Sequence, residues 1–432
     1  MSAAVVTAPA PEPVVDQPRQ VTVISRKSPI VLAVVTALLA LLFALRAREG
    51  DVSFRFSEDS DRVRVPSLTV PSMPLAWGCV LLLVVLVALA ARYVLARRRV
   101  PLWVSTVYAV VGLVAFLAWA GAGSAQDFPV VSLIGGSVLL AVPLTFGALG
   151  GVIGERAGVV NIAIESQLLA GAFTAAVAAS IAKNAFVGLV AAVLAGVLVA
   201  LVLGVFAITY KVDQVIVGVV LNVLVLGLTS FLYSQVLVPN ATTLNTTVRF
   251  QRIAIPLLAD IPVLGPALFR QTVLVYLMYL AVPAVWFALY RTRWGLRLRA
   301  VGEHPQAADT VGIRVERVRY RAVVIAGGIA GVGGAFYTVV SVSAFGKEMT
   351  AGAGYIALAA VIFGKWDPVR AALAALLFGA ASNLQGALSI VGAPVPSQFM
   401  LMLPYVVTIL AVAGFVGRSR APAADGTPYI KE

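Results

Sequence analysis

The stretch that decides the fold is residues 143–176, PLTFGALGGVIGERAGVVNIAIESQLLAGAFTAA. Two apolar segments flank a short charged break, Gly154-Glu155-Arg156, and the second segment carries Asn161 and Glu165 four residues apart. This spacing predicts that Asn161 and Glu165 lie on one face of a helix. A carboxylate inside a membrane helix costs several kcal/mol unless it faces protein or water. Glu165 is therefore predicted either to have a functional role or to join two helices by hydrogen bonds.

The composition around this stretch is typical of a membrane protein. Of the 432 residues, 60% are hydrophobic and 12% are charged, whereas soluble domains have about 25% charged residues. We therefore predict an all-α polytopic membrane protein. The net charge of +13 does not indicate a nucleic-acid partner, because the basic residues cluster in short loops between apolar runs. With one cysteine, Cys79, and one histidine, His304, neither a disulfide framework nor a metal site is expected.

Apolar runs predict twelve membrane spans, ten of them after residue 101. They are residues 30–45, 75–96, 102–120, 133–153, 158–181, 186–210, 215–238, 271–290, 321–344, 352–364, 371–390 and 398–416. We expect four parts along the chain. They are a flexible tail over 1–28, an additional transmembrane hairpin over 29–100, a ten-helix domain over 101–417 and a polar tail over 418–432.

The distribution of basic residues predicts the orientation. If Arg97 and Arg98 are cytoplasmic, alternation of the spans also places Arg156, Lys211 and the loop 291–321 on the cytoplasmic side. Short cytoplasmic loops carry an excess of Lys and Arg, so this arrangement puts both termini in the cytoplasm. The loop 46–74 falls outside despite its five arginines, which is acceptable because long loops translocate largely regardless of charge.

Two predicted spans are irregular. Residues 352–364 would form a helix about 20 Å long, shorter than a hydrocarbon core of about 30 Å. Residues 133–153 contain Pro143 and several glycines, so we expect a break there. Interrupted segments at corresponding places predict an inverted repeat, with halves 133–210 and 321–390. Alternatively, the small residues only allow helices to pack closely.

The cytoplasmic loop 291–321 is a candidate attachment site for a motor subunit. The phosphate-binding motif Gly-x-x-x-x-Gly-Lys-Ser/Thr is absent from the sequence, so no catalytic residue is predicted and any ATP hydrolysis is expected in a partner. Pro305 suits the first turn of a helix and Gly312 suits the position after its end. The predicted helix has an apolar face of Ala307, Ala308 and Val311. The alternative is a basic loop with an incidental helix.

Three motifs resemble one family. ERAGVVNIAIES, GLRLRAVGEHPQAADTVGI and the run from Gly352-Ala353-Gly354-Tyr355 to Gly364-Lys365-Trp366-Asp367-Pro368 occur in the order found in ABC-importer permeases for branched-chain amino acids, simple sugars and nucleosides. They are most similar to the nucleoside-type pattern, over roughly residues 132–417. Ser166 departs from the pattern, which usually has glycine there. The resemblance implies a bacterial plasma-membrane importer with a second permease subunit, ABC ATPase subunits and an extracellular substrate-binding lipoprotein.

Several functions remain open from the sequence. The first is a nucleoside permease subunit, with a ribose-like sugar second and branched-chain amino acids third. Another class is an ion-coupled secondary transporter that uses Glu165, and a third is a membrane scaffold. For transport, the predicted substrate path consists of polar side chains within spans: Asn161, Glu165, Asn222 and Asn383. Asn222 and Asn383 are alternatively explained as hydrogen-bonding contacts between helices.

Overall fold

The computed structural model describes residues 27–58, 61, 63–98, 100–392, 398–399, 402 and 420–431. Most of the predicted tail 1–28 and nearly all of the predicted span 398–416 lie outside the described residues. The described chain is mostly helical with a few short strands, which confirms the all-α class. Apolar side chains dominate its buried positions, as expected for helices that pack against one another inside a membrane.

The N-terminal part contains three helices, α1 (Lys27–Leu45), α2 (Ser72–Leu95) and α3 (Leu102–Ala120). A small sheet joins the loop between α1 and α2 to the residues after α3: β1 (Asp51–Arg55) pairs antiparallel with β2 (Leu68–Pro71) and parallel with β3 (Phe128–Pro129). Helix α3 packs mainly along α2. The three helices therefore form one unit, and the predicted division at residue 100 stays a prediction.

The remaining helices follow in chain order. They are α4 (Val130–Arg156), α5 (Ile164–Ala182), α6 (Ala185–Gly204), α7 (Gln214–Leu232), α8 (Ala241–Leu244), α9 (Leu264–Phe269), α10 (Val273–Arg291), α11 (Arg293–Glu303), α12 (Pro305–Thr310), α13 (Val315–Phe336), α14 (Ala353–Phe363) and α15 (Pro368–Ile390). Strands β4 (Ile253–Ala254) and β5 (Arg270–Gln271) pair near α9. Three helices end in a π-helical turn, at Val205–Thr209, Tyr233–Leu237 and Tyr337–Ser341.

Eleven of the twelve predicted spans coincide with apolar helices of the described chain. Within the described residues, nine helices are long and apolar enough to cross a membrane, and Pro29–Leu45 and Ala353–Phe363 are shorter apolar helices. The short span predicted at 352–364 is therefore confirmed as the short helix α14. The helix of the span predicted at 158–181 begins later than expected, at Ile164, because residues 157–163 form an irregular segment instead.

The break predicted at Pro143 is wrong, since α4 continues through this residue to Arg156. Pro143 removes one backbone hydrogen bond, but membrane helices tolerate proline where neighbouring helices compensate. The glycines of α4 serve packing. A Cβ at Gly147 would lie 2.9 Å from the Ala357 Cβ, and one at Gly150 would lie 2.6 Å from the Ala326 carbonyl oxygen. These glycines bring α14 and α13 against α4, as the close-packing alternative predicted.

Two groups of three helices have matching layouts. In each group, a long helix is followed by an irregular segment, a second helix and a third long helix, namely α4–α5–α6 and α13–α14–α15. Helix α4 packs along α15, and α6 packs along α13. At the crossing of α6 and α13, a Cβ on Gly196 would lie 2.1 Å from the Gly327 carbonyl oxygen. The first helix of each group therefore packs along the third helix of the other group. This arrangement fits the predicted inverted repeat.

One end of the bundle collects basic loops, and we call it the basic end. Arg156 closes α4 there, and its Nε donates a hydrogen bond to the Trp366 carbonyl oxygen at 3.0 Å. Gly302 at the end of α11 lies against the backbone of Arg156. Arg319 on α13 lies beside Gly158. The loops after α4 and α14 and the segment between α10 and α13 therefore meet at the same end.

Candidate translocation site

The beginning of α14 is held by one carboxylate from α5. One oxygen of Glu165 accepts hydrogen bonds from Thr350 Oγ1 at 2.6 Å and from the Gly352 backbone N–H at 2.9 Å. The other oxygen accepts from the Gly354 backbone N–H at 2.6 Å. Unpaired N–H groups and the helix dipole make a helix N-terminus favourable for an anion. The geometry thus supports the interpretation that Glu165 joins two helices.

Two glycines make this contact possible. A Cβ on Gly354 would lie 2.4 Å from the backbone nitrogen of Glu165, a distance at which no side chain fits. Gly352, directly before α14, has φ +81°, a left-handed conformation that glycine adopts without steric cost. The Gly-x-Gly entry of the short helix is therefore required by the approach of α5.

Asn222 on α7 completes a polar junction beside Glu165. Its Oδ1 accepts a hydrogen bond from the backbone N–H of Ser166 at 3.0 Å. Its Nδ2 donates to the Ile162 carbonyl oxygen at 3.0 Å and to the Tyr355 hydroxyl at 3.1 Å. Asn222 is buried, and its amide contacts the segment before α5, α5 itself and α14. These bonds agree with the alternative that Asn222 is a contact between helices.

Asn161 lies in the irregular segment before α5 and not on a helix. The expectation that Asn161 and Glu165 share a helix face is wrong, because α5 begins only at Ile164. The buried amides of Asn161 and Gln167 exchange hydrogen bonds of 3.1 and 3.4 Å. Ser166, at the position where the family pattern has glycine, donates to the Ala163 carbonyl oxygen at 2.8 Å. Both interactions stabilise the turn that starts α5.

Asn383 lies apart from the other predicted path residues. Its Nδ2 donates to the Leu133 carbonyl oxygen at 2.7 Å, near the beginning of α4. Gly147, which packs against Ile164, lies about 20 Å further along α4, at 1.5 Å per residue. The structure therefore brings Asn161, Glu165 and Asn222 together and separates Asn383 from them. The role of all four in a substrate path stays a prediction.

A cleft of about 380 Å³ opens beside the start of α14. Its polar lining comes from four residues that are not among the predicted site residues: Tyr337, Thr350, Ser382 and Gln385. Thr350 is the same residue that donates to Glu165. The only sequence signal was the pair Ser382 and Gln385, three residues apart in an apolar span and hence on one helix face.

The predicted helix in the basic loop is present as α12, with Pro305 in its first turn and Gly312 just after it at φ +84°. The predicted apolar face of Ala307, Ala308 and Val311 is wrong at Ala308, which does not lie on the same side as the other two. Ala308 is 4% exposed and packs with Val301, Val315 and Tyr429. Ala307 and Val311 are exposed. Ala308 therefore lies on the side of α12 that packs against its own chain, and it is not part of the exposed surface of the helix.

The region that contains the short helices, the polar junction and the helix between basic loops is matched by one family of membrane proteins. The family described as "Branched-chain amino acid transport system / permease component" matches residues 133–412. The chain belongs to this permease family. The matched region begins close to the start of α4, so α1–α3 of this permease lie before it.

Individual relatives agree with this assignment. The permease is 42% identical over 313 residues to the guanosine ABC transporter permease protein NupQ of Bacillus subtilis (strain 168), covering 69% of this chain and 96% of the relative. It is 37% identical to the nucleoside ABC transporter permease protein NupC of Lactococcus lactis subsp. cremoris (strain MG1363), over 69% of this chain and 96% of the relative. No solved structure matches the chain.

The C-terminal segment of this permease, residues 420–431, packs onto the basic end. The Ala424 N–H donates to the Gly302 carbonyl oxygen at 2.9 Å, and Arg319 Nη1 donates to the Thr427 carbonyl oxygen at 3.0 Å. Lys431 forms an ion pair of 3.3 Å with Asp309 on α12. From the sequence, we expected only a polar tail here. This docking brings the segment into direct contact with α12, the predicted attachment helix.

Three charged side chains meet under this segment. Glu155 and Arg319 are almost fully buried, and Glu155 accepts a hydrogen bond from the Trp366 indole N–H. Burial raises the pKa of Asp425 to about 7, although the Arg319 guanidinium acts in the opposite direction. Within the described residues, Glu155 Oε1, Asp425 Oδ1 and two nitrogens of Arg319 are buried without a hydrogen-bond partner. This charged group therefore has unused hydrogen-bonding capacity.

Proposed function

We propose that this permease forms the transmembrane path of an ATP-driven importer for nucleosides. The observation that carries the proposal is its 42% identity to a guanosine permease over 96% of that relative's length. The cleft beside α14 agrees with an uncharged cargo, because no charged side chain occurs among the described residues that line it. A free amino acid or a nucleotide carries charges that such a lining would leave unpaired.

The relatives are named as ABC transporter permeases, which implies an ATPase and a binding protein as the kinds of partner. For this chain, we propose a second permease subunit, an ABC ATPase that docks on α12 and an extracellular lipoprotein that delivers the nucleoside. Pro305 and Gly312 set the bounds of the docking helix, and Ala307 and Val311 form its outward face. The basic end and both termini are proposed to lie in the cytoplasm of a bacterial cell, because short basic loops remain on that side.

A simple sugar is the second candidate cargo. The chain is 39% identical over 257 residues to the putative glucose ABC transporter permease protein TsgC13 of Haloferax volcanii, and a sugar is also uncharged. The ion-coupled alternative is less well supported, because both oxygens of Glu165 already accept hydrogen bonds from α14 and the residues before it.

The proposal is tested by reconstituting the permease with its ATPase and binding protein in proteoliposomes. Uptake of labelled guanosine should require ATP and the binding protein, and unlabelled nucleosides should compete more strongly than ribose or glucose. Uptake that continues without ATP but follows a proton gradient would instead support the ion-coupled transporter. Uptake of glucose with no competition by nucleosides would favour the sugar cargo.

A further inference from the structure

The cleft beside α14 has the properties of a binding site within the transport path. It is formed by residues from four elements: Pro143 and Leu144 on α4, Tyr337 in the π-helical turn after α13, Ala353 and Ile356 on α14, and Ser382 and Gln385 on α15. Its volume of about 380 Å³ lies within the usual range for small-molecule pockets, about 300–1,000 Å³. A single nucleoside or sugar is of suitable size for this space.

Three polar side chains of the cleft are available for a ligand. The Tyr337 hydroxyl, the Ser382 hydroxyl and the Gln385 amide make no hydrogen bond to any residue that the structure describes. Buried polar groups normally find partners, and these three side chains lie half-buried along the cleft. Ser382 and Gln385 lie three residues apart on α15, so their side chains are presented from one face of this helix. A polar ligand could supply the missing partners.

The remaining lining restricts the chemistry of such a ligand. Phe336 and Tyr337 line one side of the cleft, with ring centroids 5.7 Å apart. Aromatic faces stack on nucleobases without selecting among them. The carboxylate of Glu165 is already occupied by Thr350, Gly352 and Gly354. It therefore holds the wall of the cleft in place, and the ligand meets an uncharged surface.

We propose that this cleft is a transient cargo subsite for an uncharged ribonucleoside, with its base against Tyr337 and its polar edge at Ser382 and Gln385. The inference rests on the proposed function and adds the residues that contact the cargo inside the membrane. Tyr337 lies in a π-helical turn, a local structure that is frequent at functional sites. The subsite acts after delivery by the binding protein, so it affects the rate of passage more than the affinity of the importer.

The test uses the complete importer in proteoliposomes, with labelled guanosine as the probe. Gln385→Ala and Ser382→Ala should each lower guanosine uptake about fivefold, and Tyr337→Leu at least tenfold. Tyr337→Phe keeps the aromatic face and should retain at least half of the uptake. Ser389→Ala, an exposed position on α15 outside the cleft, is the matched control and should not change uptake.

The number of ATP molecules hydrolysed per guanosine imported separates cargo contact from a structural role. A variant that only damages the fold lowers ATP turnover and uptake together, whereas loss of a cargo contact lowers uptake and raises this ratio. Wild-type uptake in Gln385→Ala, Ser382→Ala and Tyr337→Leu would overturn the subsite while leaving the proposed function intact. If the wild-type importer transports no nucleoside, the proposed function itself fails. If Tyr337→Leu does not assemble, Gln385→Asn provides the same test with a smaller change.

Discussion

The middle of the bundle and its basic end both bury charged side chains, but they surround these charges differently. In the middle, Glu165 receives three hydrogen bonds from one hydroxyl and two backbone N–H groups. At the basic end, Glu155, Arg319 and Asp425 lie close together, and each has buried polar atoms without a partner among the described residues. Both carboxylate oxygens of Glu165 therefore have hydrogen-bond partners, whereas the charged group at the basic end has partners for only some of its polar atoms.

The difference indicates which region can change its structure. Moving α14 away from α5 would leave a carboxylate and its donors unpaired, which is costly in a low-dielectric interior. The contacts of the C-terminal segment lie nearer to solvent, among them the Lys431–Asp309 ion pair, so water or a docking partner can satisfy the groups that are released when this segment moves. A rigid junction in the middle and an adjustable region at the basic end would suit the proposed docking of an ATPase on α12.

Glu165→Ala is the strongest way to break the junction in the middle. It leaves the donors of Thr350, Gly352 and Gly354 without their acceptor, and a hydrogen bond to a charged group contributes about 1.5–3 kcal/mol. We expect a loss of at least about 3 kcal/mol in stability and at least a tenfold loss of uptake. Thermal unfolding in detergent and uptake in proteoliposomes measure these effects.

Glu165→Gln is the control for this substitution. It keeps one acceptor oxygen and the side-chain volume but turns an amide group toward one set of donors, so its stability should lie between wild type and Glu165→Ala. Equal unfolding temperatures for all three proteins would contradict a structural role for the carboxylate.

At the basic end, a glutamate introduced at either of two neighbouring positions of α12 should have different effects. At one position it should lower stability, and at the other it should weaken association with the ATPase. Ala308→Glu buries a carboxylate against Val301, Val315 and Tyr429, at a cost of about 2–3 kcal/mol. Ala307→Glu lies on the exposed side and should leave the unfolding temperature unchanged while weakening association with the ATPase. Co-purification and thermal unfolding together separate these outcomes. A normal unfolding temperature for Ala308→Glu would contradict the inward orientation of this residue.

Asn222→Ala tests the neutral part of the central junction. It removes the acceptor of the Ser166 N–H and two donated hydrogen bonds, and an unsatisfied buried group costs about 1–3 kcal/mol. We expect a loss of about 1–2 kcal/mol. Asn383→Ala is the matched comparison, because Asn383 is half-buried and lies outside the junction. It should cost less than Asn222→Ala in the same thermal unfolding experiment.

The smallest expected effect is a dependence of C-terminal docking on pH. The pKa of Asp425 is about 7 in the docked segment, compared with about 3.9 for a free aspartate. The docked state therefore binds a proton more tightly, so docking is strongest below about pH 4 and weakens as pH rises through 7. Between pH 6 and pH 8 the docking free energy changes by about 1.4 kcal/mol.

Hydrogen exchange of residues 420–431, corrected for the intrinsic effect of pH, measures this docking. The groups facing Asp425 are Arg319 and Glu155, so Asp425→Asn removes the titrating group while keeping its size. Protection that weakens with pH in wild type but not in Asp425→Asn supports the assignment. The same pH dependence in both proteins would contradict it.

Local signals in the sequence predicted much of the fold. Apolar runs identified the spans because their length and composition follow from the thickness of the membrane. Pro305 and Gly312 identified the bounds of α12, since each residue fixes the backbone at its own position. The break predicted at Pro143 was wrong because the effect of a proline depends on the neighbouring helices, and α4 continues through this residue.

Contacts between distant segments could not be predicted in the same way. Glu165 was selected as a buried carboxylate, but its partners lie 185–189 residues further along the chain, and no local pattern connects them. Docking of the C-terminal segment was also missed, because a short polar run looks the same whether or not it packs. The cleft was overlooked since Tyr337 and Gln385 become neighbours only through helix packing.

The backbone contact between α6 and α13 has a consequence for suppressor genetics. A side chain introduced at Gly196 meets the carbonyl oxygen of Gly327, and one introduced at Gly331 lies 2.2 Å from the Ala192 carbonyl oxygen. No smaller residue exists to compensate, because the opposing groups are already main-chain atoms or glycine. Revertants of a Gly196→Ala defect should therefore be found among changes that shift a whole helix, and no reversion should come from trimming the opposing side chain.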